Sequence, residues 1–546
     1  MTVNDSSSSV ASPAENRSLD LLENGLLPPL PAAFLAGRDL DLLGPLRFVS
    51  PREPDPLSSA SPAVDRSALA QALAVANASY GHPGAERLAG RLADPETRVI
   101  VTGQQPGLFG GPLYTLTKAV AAAQWVRRIQ ASGLAAVAVF WVATEDHDYR
   151  EVSRLSFPAA GGLETLDLGA DPSPLLPVGM RTFGPQVVTV LDSLRAGVPG
   201  DRFAEWVDKV AGWYRPDARF GEAFCKMMAA LLGEECPLLL DAMLPAVKQA
   251  ERPWLERVTA SRDEIEERYS ASNRLIEQRG YPLQVTPQPG SSPLFFLHGE
   301  SRRRIEWRAN GRVGLRGEDE FDEGMDWLER VLSENPAAVS PGVLARPAIQ
   351  DAILGTSIQV MGPGEVSYLP QVAPLYECLE IEAPQVALRP QAMVLSRHQI
   401  DKLDKLPIEL AELLSPRLDL DRALAQGQGS EMVAPVGARM EKLLDELKTR
   451  AVGLDKSLER PWEKTAGQIH KALEVFTAKV NQAATRRDEL GRQRAEDLRV
   501  ACRPGGTLQE RALTTAYFPG KYGGRFVEAL FEQLGTDGGK LQVVTP

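Results

Sequence analysis

Two short stretches concentrate the residue types that do chemistry. The first, VTGQQPGLFGGPLYTLTKAV (101–120), sets two adjacent glutamines, Gln104 and Gln105, among Gly103, Gly107, Gly110 and Gly111. The second, FWVATEDHDY (140–149), places Glu145, Asp146, His147 and Asp148 side by side at the end of an apolar run. A side-chain amide both donates and accepts, which suits recognition of a polar ligand. A glycine-rich turn between strand and helix suits an anion, because loop amides and the helix N-terminus offer positive potential and glycine permits close approach. The stretch fits neither G-x-x-x-x-G-K-[ST] nor G-x-G-x-x-G, so a purely structural loop is the competing reading. His147, flanked by acids, is expected to favour its protonated form or to be held as one tautomer. It then serves as general acid or base, or steadies a developing negative charge. Three carboxylates and a histidine are also a ligand set for Mg²⁺ or Mn²⁺, although adjacent residues point in different directions. A helix N-cap at Asp146 or Asp148, with His147 on the surface, is the structural alternative. Tyr114 and Lys118 open the following helix, where one side chain reaches the same place or lies in solvent.

The elements around these stretches set their geometry. TRVIVTG (97–103) is a β-branched run closed by glycine, TLTKAVAAAQWVRRIQASG (115–133) is rich in helix formers and ends at Gly133, and AAVAVFWVAT (135–144) is a second buried strand. That is a β–loop–α–β crossover unit. In doubly wound sheets ligands bind outside the carboxyl ends of the strands, so both stretches are expected to face one cleft. CPLLLDA (236–242) repeats the pattern of a strand ending in an acid, Asp241. Residues 63–94 read as helix, 160–200 as an insertion without clear periodicity, and 292–315 as a hairpin turning at Asn310-Gly311. Residues 339–379 return to α/β character with a turn at Gly362-Pro363-Gly364.

Between 439 and 498 the texture becomes charged and helical. Ile469, Leu473, Phe476, Val480, Ala483 and Leu490 keep heptad spacing, interrupted by Arg487. A helix over 439–459 with Leu443, Leu447, Leu454 and Leu458 would pair with it antiparallel. An intramolecular hairpin and a dimerising coiled coil both satisfy this pattern.

Composition narrows the class. A chain of 546 residues exceeds one simple core, and 43% hydrophobic residues exclude global disorder. The net charge of -12 argues against a nucleic-acid backbone binder. Cys225, Cys236, Cys378 and Cys502 form no C-x-x-C pair and read as reduced buried thiols. The first 16 residues are Ser/Ala-rich and expected to be disordered; they lack the basic start and apolar run of a secretory signal. No apolar run of about 18 residues occurs, so a cytoplasmic protein without membrane partner is expected.

Five blocks in order, VTGQQPGLFGGPLYTLTKA, FWVATEDHDYREV, LARPAIQD, GPGEVSYLPQVAPLYE and LQERALTTAYFPGKYG, resemble the BshC family, the cysteine-adding enzyme (cysteine ligase) of bacillithiol biosynthesis. The resemblance runs from about residue 20 to the C-terminus. It implies an α/β fold: a Rossmann-like core over 17–395 similar to class I aminoacyl-tRNA synthetases and other nucleotidyltransferases, with inserts near 155–215 and 280–335. A helical coiled-coil domain over 396–503 would make a homodimer, and 504–546 would return to the core. The implied reaction joins the carboxyl of cysteine to the amino group of glucosaminyl-malate. Activation by ATP or another nucleotide follows by analogy with the fold, and no metal is expected.

By the same resemblance the catalytic residues are His147, Asp146, Asp148 and Lys118. Gln104, Gln105, Gly103, Tyr114, Glu145, Asp241, Arg346, Gln350, Asp351, Gly364 and Glu365 would bind substrate. Arg346 or Lys118 would meet the malate carboxylates and the acids would hold the glucosamine ammonium. An Arg346–Asp351 salt bridge and a plain turn at 362–364 are the structural alternatives. Arg511, Tyr517, Lys521 and Tyr522 would hold the nucleotide, or else form a docking segment. The sequence departs from the synthetase pattern: it has no His-x-Gly-His in the glycine loop, and LSRHQIDKLDK (395–405) only echoes K-M-S-K-S. The family commonly has Asn where Gly520 stands. A metal-dependent hydrolase built on the Glu-Asp-His-Asp cluster and a non-catalytic coiled-coil scaffold are the rival functions.

Overall fold

A computed structural model describes residues 17–49, 64–159, 162–288, 290–308, 311–424, 428–485 and 489–546. The expected N-terminal disorder, Asn310 of the expected turn and Arg487 of the heptad row fall outside the described residues. The chain divides into two compact units, residues up to Val394 with Glu510–Pro546, and Leu395–Gln509.

The first unit is built on a six-stranded parallel sheet. Its strand order is Arg47–Phe48, Gln385–Leu388, Thr356–Met361, Arg98–Gln104, Ala136–Val142 and Leu238–Asp241. Ala136–Val142 is buried along its whole length, which is why it reads as a continuous apolar run rather than an alternation. The helix Leu113–Ala131 crosses between the adjacent strands Arg98–Gln104 and Ala136–Val142. Register aligns Gln104 with Val142, and Val142 with Asp241, so three strands end on one edge.

Local breaks reshape several expectations. The single helix expected over 63–94 is two, Ser67–Ser79 and Ala85–Ala93, because Gly81 takes a left-handed φ of 77° and Pro83 follows. The expected unpatterned insertion holds the strand Gly162–Asp167, which pairs antiparallel with the preceding Arg154–Ala159, and the helix Gln186–Gly197. The expected 292–315 hairpin is part of a five-stranded antiparallel sheet, ordered Glu318–Gly324, Arg312–Leu315, Ser301–Arg308, Ser291–His298 and Val339–Pro341. Strand Lys540–Val544 pairs between Ser18–Asp20 and Gln391–Val394.

In the second unit two 27-residue helices, Gln428–Leu454 and Glu459–Thr485, are joined by a 3-10 turn at Lys456–Leu458. Lys448 lies 4.8 Å above the Trp462 ring across the turn. The intramolecular hairpin therefore forms, but the leucine row is not its seam. Leu444 is buried, whereas Leu443, Leu447 and Leu454 are 64%, 55% and 84% exposed. No helix among the described residues is long and apolar enough to cross a membrane.

Candidate active site

The two chemistry-bearing stretches meet at the carboxyl edge of the parallel sheet. Gly103 lets the strands close up there: a Cβ at this position would sit 2.7 Å from the Trp141 carbonyl oxygen. Beyond it, the Ala143 amide donates to the Gln104 carbonyl at 3.0 Å. The Gln105 side-chain amide donates to Asp146 Oδ2 at 2.5 Å. Together they form one wall of a cavity of about 470 Å³. The opposite wall comes from the antiparallel sheet and the helices Arg346–Leu354 and Pro363–Cys378, through Phe295, Arg302, Arg304, Arg346, Glu365 and Tyr368.

Charge in the cavity is paired unevenly. Glu145 is 4% exposed; its Oε2 takes Lys248 Nζ at 2.5 Å, and the same ammonium reaches Glu251 Oε2 at 2.8 Å. Lys248 and Glu251 are one helical turn apart on Pro245–Ala260. The second oxygens, Glu145 Oε1 and Glu251 Oε1, and also Gln105 Oε1, are buried without a hydrogen-bond partner. Burial pushes the Glu251 carboxyl up to about 8, with the Glu145 charge adding to it and Lys248 opposing. Burial alone would raise Asp146 too, but the Arg302 guanidinium and the His147 amide hold it below the usual carboxylate range.

Of the two expectations for His147, the protonated ring is disfavoured. Burial and the Arg302 guanidinium push its imidazole below the ordinary value, and they outweigh Asp146 and Asp148. The flanking acids do favour the protonated ring, but burial and the guanidinium outweigh them, and each acid also has a hydrogen-bond partner of its own. Asp146 takes Gln105, and Asp148 caps the short helix Tyr149–Val152 by accepting the Glu151 amide at 3.2 Å. Glu145 is committed to Lys248, and among the described residues no three His, Cys, Asp or Glu side chains converge as a metal site.

The other expected residues divide into wall and support. Lys118, 2% exposed, stands behind the wall: its ammonium donates to the Gly103 carbonyl at 2.8 Å and Gln104 Oε1 at 2.9 Å, and pairs with Glu365 at 2.5 Å. Burial works against the Glu365 charge, but Lys118 and the Gly362 amide hold this carboxyl below its ordinary value. Tyr114 accepts from Gln104 Nε2 at 3.3 Å. Asp241 takes the Thr144 hydroxyl and, at 2.9 Å, the Met243 amide. Arg346 faces the cavity and bonds Gln350 Oε1 at 3.2 Å and the Tyr368 hydroxyl at 3.4 Å. The Arg346–Asp351 bridge does not form, since Asp351 Oδ2 takes both Gln359 Nε2 and the Tyr376 hydroxyl at 2.5 Å. Burial raises this carboxyl to about 6. Gly364 opens the helix Pro363–Cys378 and does not line the cavity.

The glycine loop is not an open phosphate cradle. The amides of Gly107, Gly110, Gly111, Leu113 and Thr115 all donate to carbonyls of the chain. One of these bonds, Leu113 to Leu513 at 2.8 Å, comes from the C-terminal segment. That segment covers the loop: the Thr515 amide reaches the Gly111 carbonyl at 2.7 Å and its hydroxyl the Gly110 and Pro112 carbonyls at 3.2 Å. Glycine is needed for packing here, since a Cβ on Gly107 would lie 2.6 Å from Gly111 Cα. Of the C-terminal residues expected to hold a nucleotide, Lys521, Tyr517 and Tyr522 make contacts among themselves. Lys521 donates to the Tyr517 hydroxyl at 3.0 Å and lies over the Tyr517 and Tyr522 rings, Tyr517 is 7% exposed, and Arg511 stands on a separate helix, Gln509–Ala512. At Gly520 a Cβ would lie 2.5 Å from the Phe203 ring, so this segment docks tightly. Lys521, Tyr517 and Tyr522 are thus held by contacts within the chain.

A family model described as the N-terminal Rossmann-like domain of bacillithiol biosynthesis BshC matches residues 55–390. The model of the BshC C-terminal coiled-coil domain matches residues 392–546. The chain belongs to the BshC family. Its relatives include a "Putative cysteine ligase BshC" of Salinibacter ruber, 29% identical and covering 88% of this chain and 89% of the relative. Another of the same name, from Solibacter usitatus, is 29% identical over 84% and 85%. A solved structure described as a putative arginyl-tRNA synthetase from Campylobacter jejuni covers 86% of this chain and 99% of its own, at 11% identity and a TM-score of 0.24, too loose to carry an argument. The Rossmann-like α/β core is thus a property of the BshC family, and the parallel sheet here is its instance.

Two residues of this BshC-family site escape sequence reasoning. Arg302 reaches it from the antiparallel sheet, with Nε on Ser340 Oγ and Nη2 on the Pro341 carbonyl, both at 2.9 Å. Lys248 reaches it from a helix after the third strand. The only sequence signal for Arg302 is the run SRRRIEWR, whose alternation puts Arg302 and Arg304 on one strand face.

Proposed function

We propose that this cavity is the active site of a cysteine ligase that joins the carboxyl of cysteine to the amino group of glucosaminyl-malate, the closing step of bacillithiol formation. The observation that carries the reading is the division of charge within one cavity. Glu145, paired with Lys248 through one oxygen, keeps its second oxygen buried with no partner, and an amine or ammonium donor would satisfy it. Across from it, Arg346 has two of its five donors engaged by Gln350 and Tyr368, which leaves donors for a dicarboxylate such as malate. Gln104 and Gln105 border the space between, and His147 stands beside the acids as a neutral ring. The catalytic group is His147 with Asp146; Asp148 caps the helix that follows, and Lys118 holds Gln104 and the Gly103 carbonyl in the wall.

Amide formation from a free carboxylate is uphill in water, so the reading includes a nucleotide as the source of activation. It also includes a homodimer assembled through the exposed leucines of the helical hairpin, and residence in the cytoplasm, where bacterial biosynthetic thiols are made.

The test is direct. Purified protein is incubated with cysteine, glucosaminyl-malate and each nucleoside triphosphate in turn, and products are read by mass spectrometry. Bacillithiol appearing with one nucleotide, and absent with Glu145→Gln, is the expected result. No bacillithiol under any condition in which a working family member produces it overturns the proposal.

A further inference from the structure

The cavity holds a contact that fixes more than shape: Arg302 Nη1 lies 3.3 Å from His147 Nδ1. A guanidinium carries donors and no acceptor. Nδ1 must therefore offer its lone pair, and a neutral ring must carry its proton on Nε2. The opposite tautomer would need an acceptor at Nδ1. The nearest carboxylate oxygen, Asp146 Oδ1, is 3.8 Å away and already takes the His147 backbone amide at 2.7 Å.

Arg302 is itself held in place. It is 6% exposed, bonded to Ser340 and Pro341 by its other nitrogens, and stacked 3.9 Å above the Phe295 ring. The same phenyl ring lies 5.8 Å from the His147 ring, so one side chain braces both partners. Nε2 has no protein partner among the described residues, and His147 lines the cavity.

From this geometry we infer that Arg302 is a positioning residue that locks His147 as the Nε2–H tautomer, so that the ring donates a hydrogen bond to an oxyanion in the cavity rather than accepting a proton. The suited ligand is a carboxylate, or the oxygen that becomes anionic when one is attacked. The charges facing the ring agree. Burial, Arg302 and Arg304 of strand Ser301–Arg308 oppose a second proton, and Asp146 and Asp148 of its own loop favour one and are outweighed. The inference rests on the proposed ligase site for its role in catalysis, but the tautomer itself does not.

The full-length chain is labelled with ¹⁵N-histidine, and long-range ¹H–¹⁵N correlations are recorded without substrate at pH 7.5. The chain has five histidines, and His147→Gln identifies the ring by its missing signals. In the unsubstituted protein Nδ1 is expected at an unprotonated shift and Nε2 at a protonated one. Arg302→Met is expected to move both toward averaged values and to raise the ring's titration midpoint, and Arg302→Lys to restore part of the pattern. Turnover in the ligase assay should fall about 10²-fold in Arg302→Met. A protonated Nδ1 in the unsubstituted protein overturns the inference with no variant needed. So does a folded Arg302→Met whose His147 shifts and titration are unchanged. Absent ligase activity with the expected shifts would instead count against the proposed reaction alone.

Discussion

Gln105 Nε2 and Asp146 Oδ2 lie 2.5 Å apart, joining the ends of two parallel strands across a 19-residue crossover helix. The bond closes one wall of the cavity and leaves Gln105 Oε1 buried without a hydrogen-bond partner. Asp146→Ala would strip Gln105 of its acceptor and Arg302 of a nearby charge 3.7 Å away. A stability loss of about 1–3 kcal/mol is expected from the unpaired groups. Gln105→Ala should cost less, because the Arg302 charge and the His147 amide still face Asp146. A double-mutant cycle by denaturant unfolding should give a coupling of roughly 0.5–3 kcal/mol. Strict additivity would show that the bond does not form.

Glu251 makes stability depend on pH. Its carboxyl ordinarily titrates at 4.5, and burial, with Glu145 adding and Lys248 and Arg302 opposing, carries it to about 8 in the fold. Between those values the folded chain binds the extra proton and the unfolded chain does not. Its contribution is therefore complete below the lower value and lost as pH rises through the upper one. Unfolding midpoints measured from pH 5 to 9 should fall less steeply for Glu251→Gln than for the unsubstituted chain. Parallel slopes would contradict this.

Gly520 separates packing from binding at the C-terminal segment. A Cβ there meets the Phe203 ring at 2.5 Å and Trp206 at 2.9 Å. Gly520→Ala should lower stability by about 1–3 kcal/mol through overpacking. The cost of Gly520→Ala should be smaller when measured in a Phe203→Ala background. If Gly520→Ala weakened nucleotide binding with the unfolding midpoint unchanged, this segment would be a binding site after all.

The exposed leucines test the proposed dimer. Leu447 and Leu454 are 55% and 84% exposed on the helix Gln428–Leu454, on a row the hairpin does not use. Leu447→Lys with Leu454→Lys should convert a dimer to a folded monomer in light scattering coupled to size exclusion. An unchanged mass would place any dimer contact elsewhere.

Much of the site was legible because it is local. Gly103–Gln105 and Glu145–Asp148 bracket one crossover unit, and parallel pairing puts the ends of its strands together. What escaped came from far along the chain. Arg302 is 155 residues from His147, and the protonated ring that the flanking acids favour gives way to burial and to that distant guanidinium. The glycine loop resembled an anion site because Thr515, which caps the Gly110 carbonyl, lies 405 residues on. On the helical hairpin the heptad spacing was right but the face was not: Leu444 is buried and Leu443 is exposed.

The most direct test of the cavity as the ligase site is thiol profiling of a strain lacking this gene, complemented with the unsubstituted chain or with Glu145→Gln. The substitution keeps the shape of the side chain and an acceptor for Lys248, and removes the charge offered to the amine. The expected result is bacillithiol with the unsubstituted chain, and none with accumulated glucosaminyl-malate for Glu145→Gln at equal protein level. Undiminished bacillithiol from Glu145→Gln, or no glucosaminyl-malate accumulation in the strain lacking the gene, would contradict it.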